Sequence, residues 1–252
     1  MEKVTVIIPA RYGSTRFPGK PLALINGLPM IQQVCRRVTK AKMVDRVIVA
    51  TDDLRIVTAV EGFGGEVVLT RADHPTGTDR LAEVAEQIDS ELIVNVQGDE
   101  PLIDPRMVDQ AIAPLLENRQ LQMGTLASQI EQIDDFYNPN VVKVVKDQSG
   151  LALYFSRAPI PCPRDLSSTQ IVAALPQLGL LRHIGLYVYR RELLLEYPSW
   201  PKTPLEELEN LEQLRALERG IKLYVAETEF SCHGVDTPAD LERVSRLISV
   251  EN

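Results

Sequence analysis

Cysteine is scarce: Cys35, Cys162 and Cys232 are the only three in 252 residues. They are too few and too far apart for a disulfide framework or a Cys-rich zinc site, so they read as free thiols in a reducing compartment. Long apolar runs are missing as well. None approaches the roughly 20 residues that span a bilayer, and the short run after the acidic Glu2 ends at Pro9, unlike a secretory signal. Positive charge is in deficit, with 27 Lys and Arg against 35 Asp and Glu for a net charge of −8. That balance excludes the basic footprint of a nucleic-acid binder. It also requires any polyanionic ligand to be gripped by locally clustered cations, because the global field repels it. Internal repeats, low-complexity segments and long polar linkers are absent too. The expectation is a cytoplasmic protein with one domain over residues 1–252, binding neither nucleic acid nor membrane.

What is present is an alternation of strand and helix patterns. Short apolar strands at 4–8, 46–50, 66–70 and 92–96 are separated by helical patterns at 29–41, 53–63 and 78–88, which indicates a parallel sheet covered on both faces. Asp104-Pro105 reads as N-cap and first residue of a further helix. From 123 onward the pattern becomes β-rich, with strands at 123–130, 141–146, 151–156 and 186–189, the middle two forming a hairpin. A capping box at Thr203-Pro-Leu-Glu206 opens a helix expected to run to Gly220. A late strand at 222–226 precedes a final helix capped at Thr237-Pro238. The expected fold is α/β and Rossmann-like, a mixed, mostly parallel sheet with helices on both faces and a small β-rich lobe at 124–190.

Ligands of open α/β sheets gather at the carboxyl ends of the strands. The first such end carries Arg11-Tyr-Gly-Ser-Thr-Arg-Phe-Pro-Gly-Lys20: three cations (Arg11, Arg16, Lys20), two hydroxyls (Ser14, Thr15) and two glycines in ten residues. Glycines admit backbone N–H groups to phosphate oxygens, arginines fork onto them and a lysine adds a point charge, so this cluster suits a triphosphate. The loop is not a Walker A motif, because five residues separate Gly13 from Gly19 and Pro21 follows Lys20. Taken alone it also fits a solvated basic turn.

Continued to Pro21-Leu22, the loop resembles the signature of the sugar nucleotidyltransferases, in particular the CMP-Kdo synthetase (3-deoxy-manno-octulosonate cytidylyltransferase) family, and the resemblance extends over nearly the whole chain. It departs from the family pattern at Gly13 and Phe17, where Ala and Leu are usual, and matches least over 166–176. The resemblance implies a nucleotidyltransferase fold with a dimerisation lobe at 124–190 in a homodimer. It further implies an enzyme that activates Kdo with CMP from CTP for lipopolysaccharide-type sugar assembly.

Further segments carry the same resemblance. Asn95-Val-Gln-Gly-Asp-Glu-Pro101 closes a strand, and a carboxylate there, opposite a phosphate loop, is a natural Mg²⁺ ligand. Asp236, in Gly234-Val-Asp-Thr-Pro, is the second. Thr70-Arg-Ala-Asp-His-Pro-Thr-Gly-Thr-Asp-Arg80 resembles the part around cytosine and ribose. The family's roles then fall on Lys20, Arg11, Asp99 and Asp236 for catalysis, with Mg²⁺ on Asp99 and Asp236. Nucleotide contacts fall on Arg11, Ser14, Arg16, Lys20, Arg71, Thr76, Arg80 and Gln97. Tyr154-Phe-Ser-Arg157 and Arg182-His-Ile-Gly-Leu-Tyr187 resemble the sugar-embracing parts, which assigns Arg157, His183, Tyr187, Glu212, Gln213 and Arg164 to the sugar acid. Helical spacing puts Glu212 on the side of Leu205 and Leu208, which makes it an inward-facing carboxylate. Two rivals stand beside this reading: the same reaction on an amino-substituted Kdo or sialic-acid-like sugar, and a non-catalytic nucleotide-sensing domain.

Overall fold

The computed structural model describes residues 2–13, 17–231 and 234–250. In chain order the elements are β1 (Val4–Ala10), a 3-10 turn at Lys20–Leu22, β2 (Leu24–Ile25), β3 (Leu28–Pro29), α1 (Met30–Val38), β4 (Arg46–Thr51), α2 (Leu54–Gly62), β5 (Glu66–Leu69), α3 (Gly77–Glu86) and β6 (Leu92–Asn95). There follow α4 (Pro105–Glu117), β7 (Met123–Gln129), α5 (Ile133–Tyr137), β8 (Lys143–Lys146), β9 (Ala152–Ser156) and α6 (Ser168–Ala174). The chain ends with β10 (Leu181–Arg190), α7 (Arg191–Glu196), α8 (Pro204–Glu209), α9 (Gln213–Glu218), β11 (Leu223–Glu227) and α10 (Pro238–Val250).

The main sheet runs β11-β7-β10-β6-β1-β4-β5. The strands β6, β1, β4 and β5 are parallel, β10 lies antiparallel between β6 and β7, and β11 is parallel to β7. Alternation along β1 explains the layering, because successive side chains of a strand point to opposite faces. Val6 and Ile8 join the core of α1, α2 and α4 on one face, whereas Ile7 joins that of α3, α7 and α9 on the other. Both faces are dry, so the central strands read as continuous apolar runs, as expected of a doubly covered sheet.

Several expectations need correction. The stretch 124–190 begins and ends inside the main sheet, since β7 and β10 are among its neighbours. What leaves it is the β8–β9 hairpin with α5 and α6, and neither short helix was foreseen. The helix expected from Thr203 to Gly220 is two: Asn210 takes the left-handed conformation (φ 52°, ψ 51°) and ends α8, and α9 restarts at Gln213. Asn tolerates that region better than other non-glycine residues, which is why no Gly or Pro announced the break. The helical-angle argument for Glu212 therefore fails, and its partner by that argument, Leu208, is exposed. The cap of α3 is Thr76, earlier than expected, with Asp79 completing the box.

Candidate active site

The phosphate side is built at the carboxyl ends of β1 and β6. Gly19 has φ 73°, which L side chains rarely adopt, and a Cβ on it would lie 3.1 Å from the Tyr12 ring. Its N–H donates to the Tyr12 carbonyl at 2.9 Å, closing the loop and delivering Lys20 to the 3-10 turn. Gly98 permits a second close approach, because a Cβ there would stand 3.0 Å from the Pro9 carbonyl oxygen. Asp99 is thereby set beside the end of β1, and Lys20 Nζ donates to its Oδ2 at 2.6 Å. The backbone N–H of Val235 donates to the Asp99 carbonyl at 2.9 Å. That tie brings in Asp236, whose Oδ1 lies 3.4 Å from the same ammonium. Lys20, Asp99 and Asp236 thus converge from three distant segments. Among the described residues no group of three or more His, Cys, Asp or Glu forms a metal cluster. Two carboxylates sharing one cation suit Mg²⁺, which takes one or two carboxylates and fills its shell with phosphate oxygens and water. Ser14 and Arg16 lie outside the described residues, as do Thr15, Cys232 and His233.

The loop after β5 forms the neighbouring wall. Arg11 Nη2 donates to the His74 carbonyl at 2.9 Å, joining this loop to the first one. Arg80 is fully buried; it donates to Thr70 Oγ1 and faces Asp52 at 3.3 Å. Burial holds its guanidinium below the ordinary arginine value against the pull of Asp52, and the nearby Arg11 adds to the effect. Two guanidiniums so close present a local positive end in an acidic protein. Thr76 caps α3 through Asp79, so its hydroxyl has a structural partner. Arg71 is exposed and pairs with Asp73 and Glu83.

Beside these walls lies a cavity of about 200 Å³ lined by Gly77, Thr78, Asn95, Gln97, Tyr187, Tyr189, Tyr197, Glu212 and Gln213. It gathers four of the expected residues, Gln97, Tyr187, Glu212 and Gln213. Glu212 Oε1 and Gln213 Nε2 are buried without a hydrogen-bond partner. Such groups cost of order 1–3 kcal/mol each unless something fills their valence. Burial raises the Glu212 carboxyl above the usual glutamate range, while Thr78 and Arg215 pull the other way. Its place is set from behind. The Tyr197 hydroxyl donates to the Glu212 carbonyl at 2.8 Å, and the buried Arg215–Glu206 pair, at 2.5 and 2.8 Å, locks α9 to α8.

One wall of this cavity belongs to a chain of rings. Phe155, His183, Tyr187, Tyr189, Tyr197 and Trp200 follow one another at centroid separations of 5.0, 5.3, 6.0, 6.2 and 5.1 Å. Tyr189 and Tyr197 were not anticipated, although Tyr187-Val-Tyr189 shows the two-residue period that puts both rings on one face. His183 does not line the cavity; its Nε2 lies 2.9 Å from Thr125 Oγ1, and burial pushes its pKa down to about 3. Arg157 is not brought to the cavity either. Its guanidinium donates to the carbonyls of Glu209, Pro139 and Asn210, at 2.7, 3.0 and 3.3 Å. Arg164 is exposed and also apart from the lining.

A cation cluster with paired carboxylates at strand ends, beside a polar cavity on a mixed α/β sheet, fits a nucleotidyltransferase. The family model described as cytidylyltransferase matches residues 5–223. The chain belongs to that family, and within it to the 3-deoxy-manno-octulosonate cytidylyltransferases. It is 59% identical to the 3-deoxy-manno-octulosonate cytidylyltransferase of Syntrophotalea carbinolica over 96% of each chain. It is 56% identical to that of Geobacter metallireducens over 98% of each. A solved structure of CMP:2-keto-3-deoxy-manno-octonic acid synthetase complexed with CTP superposes with a TM-score of 0.92 at 43% identity, covering 99% of this chain and 100% of the other.

Proposed function

We propose that this chain transfers CMP from CTP to the anomeric hydroxyl of Kdo, forming CMP-Kdo and pyrophosphate. The observation that carries the reading is the pair of partnerless buried groups, Glu212 Oε1 and Gln213 Nε2, in a cavity whose Gln97 is two residues from Asp99. An acceptor and a donor side by side fit the hydroxyls of a sugar acid. The CTP-bound relative supports the nucleotide half of the reading.

The hydroxyl attacks the α-phosphorus in line, and negative charge gathers on the phosphoryl oxygens and the departing pyrophosphate. Catalysis is then mainly positioning plus electrostatic stabilisation. Lys20 and Arg11 neutralise the leaving phosphates, and Arg80 reinforces the field from below. Mg²⁺ held by Asp99 and Asp236 would lower the pKa of the attacking hydroxyl and offset phosphate charge. Lys20 Nζ now lies near both carboxylates, and with Mg²⁺ held by them its ammonium would be available to the phosphates. Glu212 and Gln213 orient the sugar.

We take the protein further as a cytoplasmic homodimer serving lipopolysaccharide-type sugar assembly, with Leu153 of β9 and Val172 of α6, both exposed, facing the second copy. Sedimentation at micromolar concentration tests this: a monomer would end the dimer proposal. For the reaction, pyrophosphate release is measured with CTP, UTP, ATP or GTP and several 2-keto sugar acids, with and without Mg²⁺. Release should require CTP, Kdo and Mg²⁺ together; none with that set would sink the assignment.

A further inference from the structure

β10 changes partners along its length. Its first residues pair with β8, at Leu181↔Val144 and Arg182↔Lys143, and its last with β6, from Tyr187↔Asn95 onward. Opposite β7 the register jumps at the change, because Ile184 faces Leu126 and Tyr187 faces the very next residue, Thr125. Gly185 and Leu186 are thus extra residues with no counterpart on β7. Bulges of this kind bend a strand and re-aim its side chains.

The consequence falls on the sugar-side residues. In a regular antiparallel strand His183 and Tyr187, four residues apart, would be separated by about 13 Å. The bulge draws them together, and their ring centroids lie 5.3 Å apart. The hydroxyl of Thr125, itself 1% exposed, fills the gap. Thr125 Oγ1 lies 2.7 Å from the Leu186 carbonyl, 3.2 Å from that of Ile184 and 2.9 Å from His183 Nε2. A hydroxyl has one proton to give. Carbonyls only accept, so that proton goes to them, and the contact to the imidazole must be donated by His183.

We propose that Thr125 is a positioning residue for the sugar subsite: its hydroxyl closes the β10 bulge and holds His183 as the Nε2–H tautomer behind Tyr187, whose ring lines the cavity. The proposal rests on the sugar-binding reading for its kinetic consequence, but not for its structural one. Neutral imidazole, as burial dictates, gives a definite acceptor where a charged ring would offer only donors. Among the side chains touching the ring, Thr125 sets the tautomer; the Phe155 ring meets it edge to face and the Tyr187 ring lies tilted against it.

The test is the ¹⁵N spectrum of the ligand-free protein labelled at its three histidines, with His183→Gln assigning the signal. Wild type should show His183 as the Nε2–H tautomer, and a Nδ1–H tautomer overturns the proposal without any variant. Thr125→Val keeps the shape and removes the hydroxyl; it should mix the tautomers and raise KM for the sugar roughly tenfold, the scale of one neutral hydrogen bond. KM for CTP should stay unchanged. Thr125→Ser should restore both readouts. A Thr125→Val protein with the wild-type tautomer and sugar KM would refute the positioning role. A tautomer shift in a protein that turns over no sugar acid would instead count against the functional reading and leave the role of the bulge standing.

Discussion

The two halves of the site are stabilised in opposite ways. On the phosphate side the described charges have found a charge or a carbonyl: Lys20 joins Asp99 and Asp236, and Arg11 holds the His74 carbonyl. On the sugar side the cavity is walled by rings and kept in shape by the buried Arg215–Glu206 pair, yet Glu212 Oε1 and Gln213 Nε2 have no partner. On the proposed reading, the first half would be rearranged by its ligands, whereas the second is already shaped and carries unmet hydrogen bonds. The contrast follows from what each half binds. A triphosphate brings several charges that can displace internal pairs, whereas a sugar acid brings one carboxylate and many neutral hydroxyls, which gain most from a cavity already formed.

The largest effect should come from breaking the charged half at its carboxylates. Asp99→Ala, and likewise Asp236→Ala, should lower kcat about a thousandfold by removing electrostatic and metal support at the reacting phosphate. Excess Mg²⁺ in the pyrophosphate assay should restore little. Full activity in the double variant would refute the metal proposal.

The scaffold of the preorganised half comes next. Arg215→Met leaves Glu206 as an uncompensated buried charge and should cost about 3 kcal/mol, read by urea denaturation. Arg215→Met with Glu206→Leu should recover much of that loss. Equal losses in single and double variants would show that the pair does not support α8 and α9.

Lys20→Met should then weaken turnover about a hundredfold, through the leaving phosphates. Thermal stability should hardly fall, because the variant leaves no buried charge unpaired: Asp99 is partly exposed and Asp236 exposed.

The smallest effect concerns Glu212. Its carboxyl titrates above the ordinary 4.5 because burial disfavours the anion. A raised native pKa binds protons more tightly in the folded state, so stability is present below the unfolded value and declines as pH rises through the native one. Glu212→Gln should therefore be more stable than wild type at neutral pH, by about 2–4 °C in Tm for a relief near 1 kcal/mol. The gain should vanish below pH 4.5, and a pH-independent difference would contradict the burial argument.

Much of this was legible from residue order. The strands of the parallel half are uninterrupted apolar runs, and Asp104 announces its helix as a cap. The meeting of Lys20 with Asp99 was equally plain, since both follow strand ends where α/β folds keep their ligands. The sugar side was legible only through family resemblance. Helical spacing placed Glu212 inward for the wrong reason, because the left-handed Asn210 breaks the expected helix. The role of Thr125 is invisible in sequence, since a bulge between strands 58 residues apart leaves no local pattern. Arg157 illustrates the converse: a residue with a plausible chemistry whose guanidinium ties the Asn210 turn to the hairpin.

The contrast between the halves is tested most directly by steady-state kinetics of Gln213→Ala with CTP and Kdo varied in turn. The account predicts a KM for the sugar raised about tenfold, as for one lost hydrogen bond, with KM for CTP unchanged. Equal increases for both substrates, or none for the sugar, would contradict a preformed sugar cavity distinct from the charge-paired phosphate half.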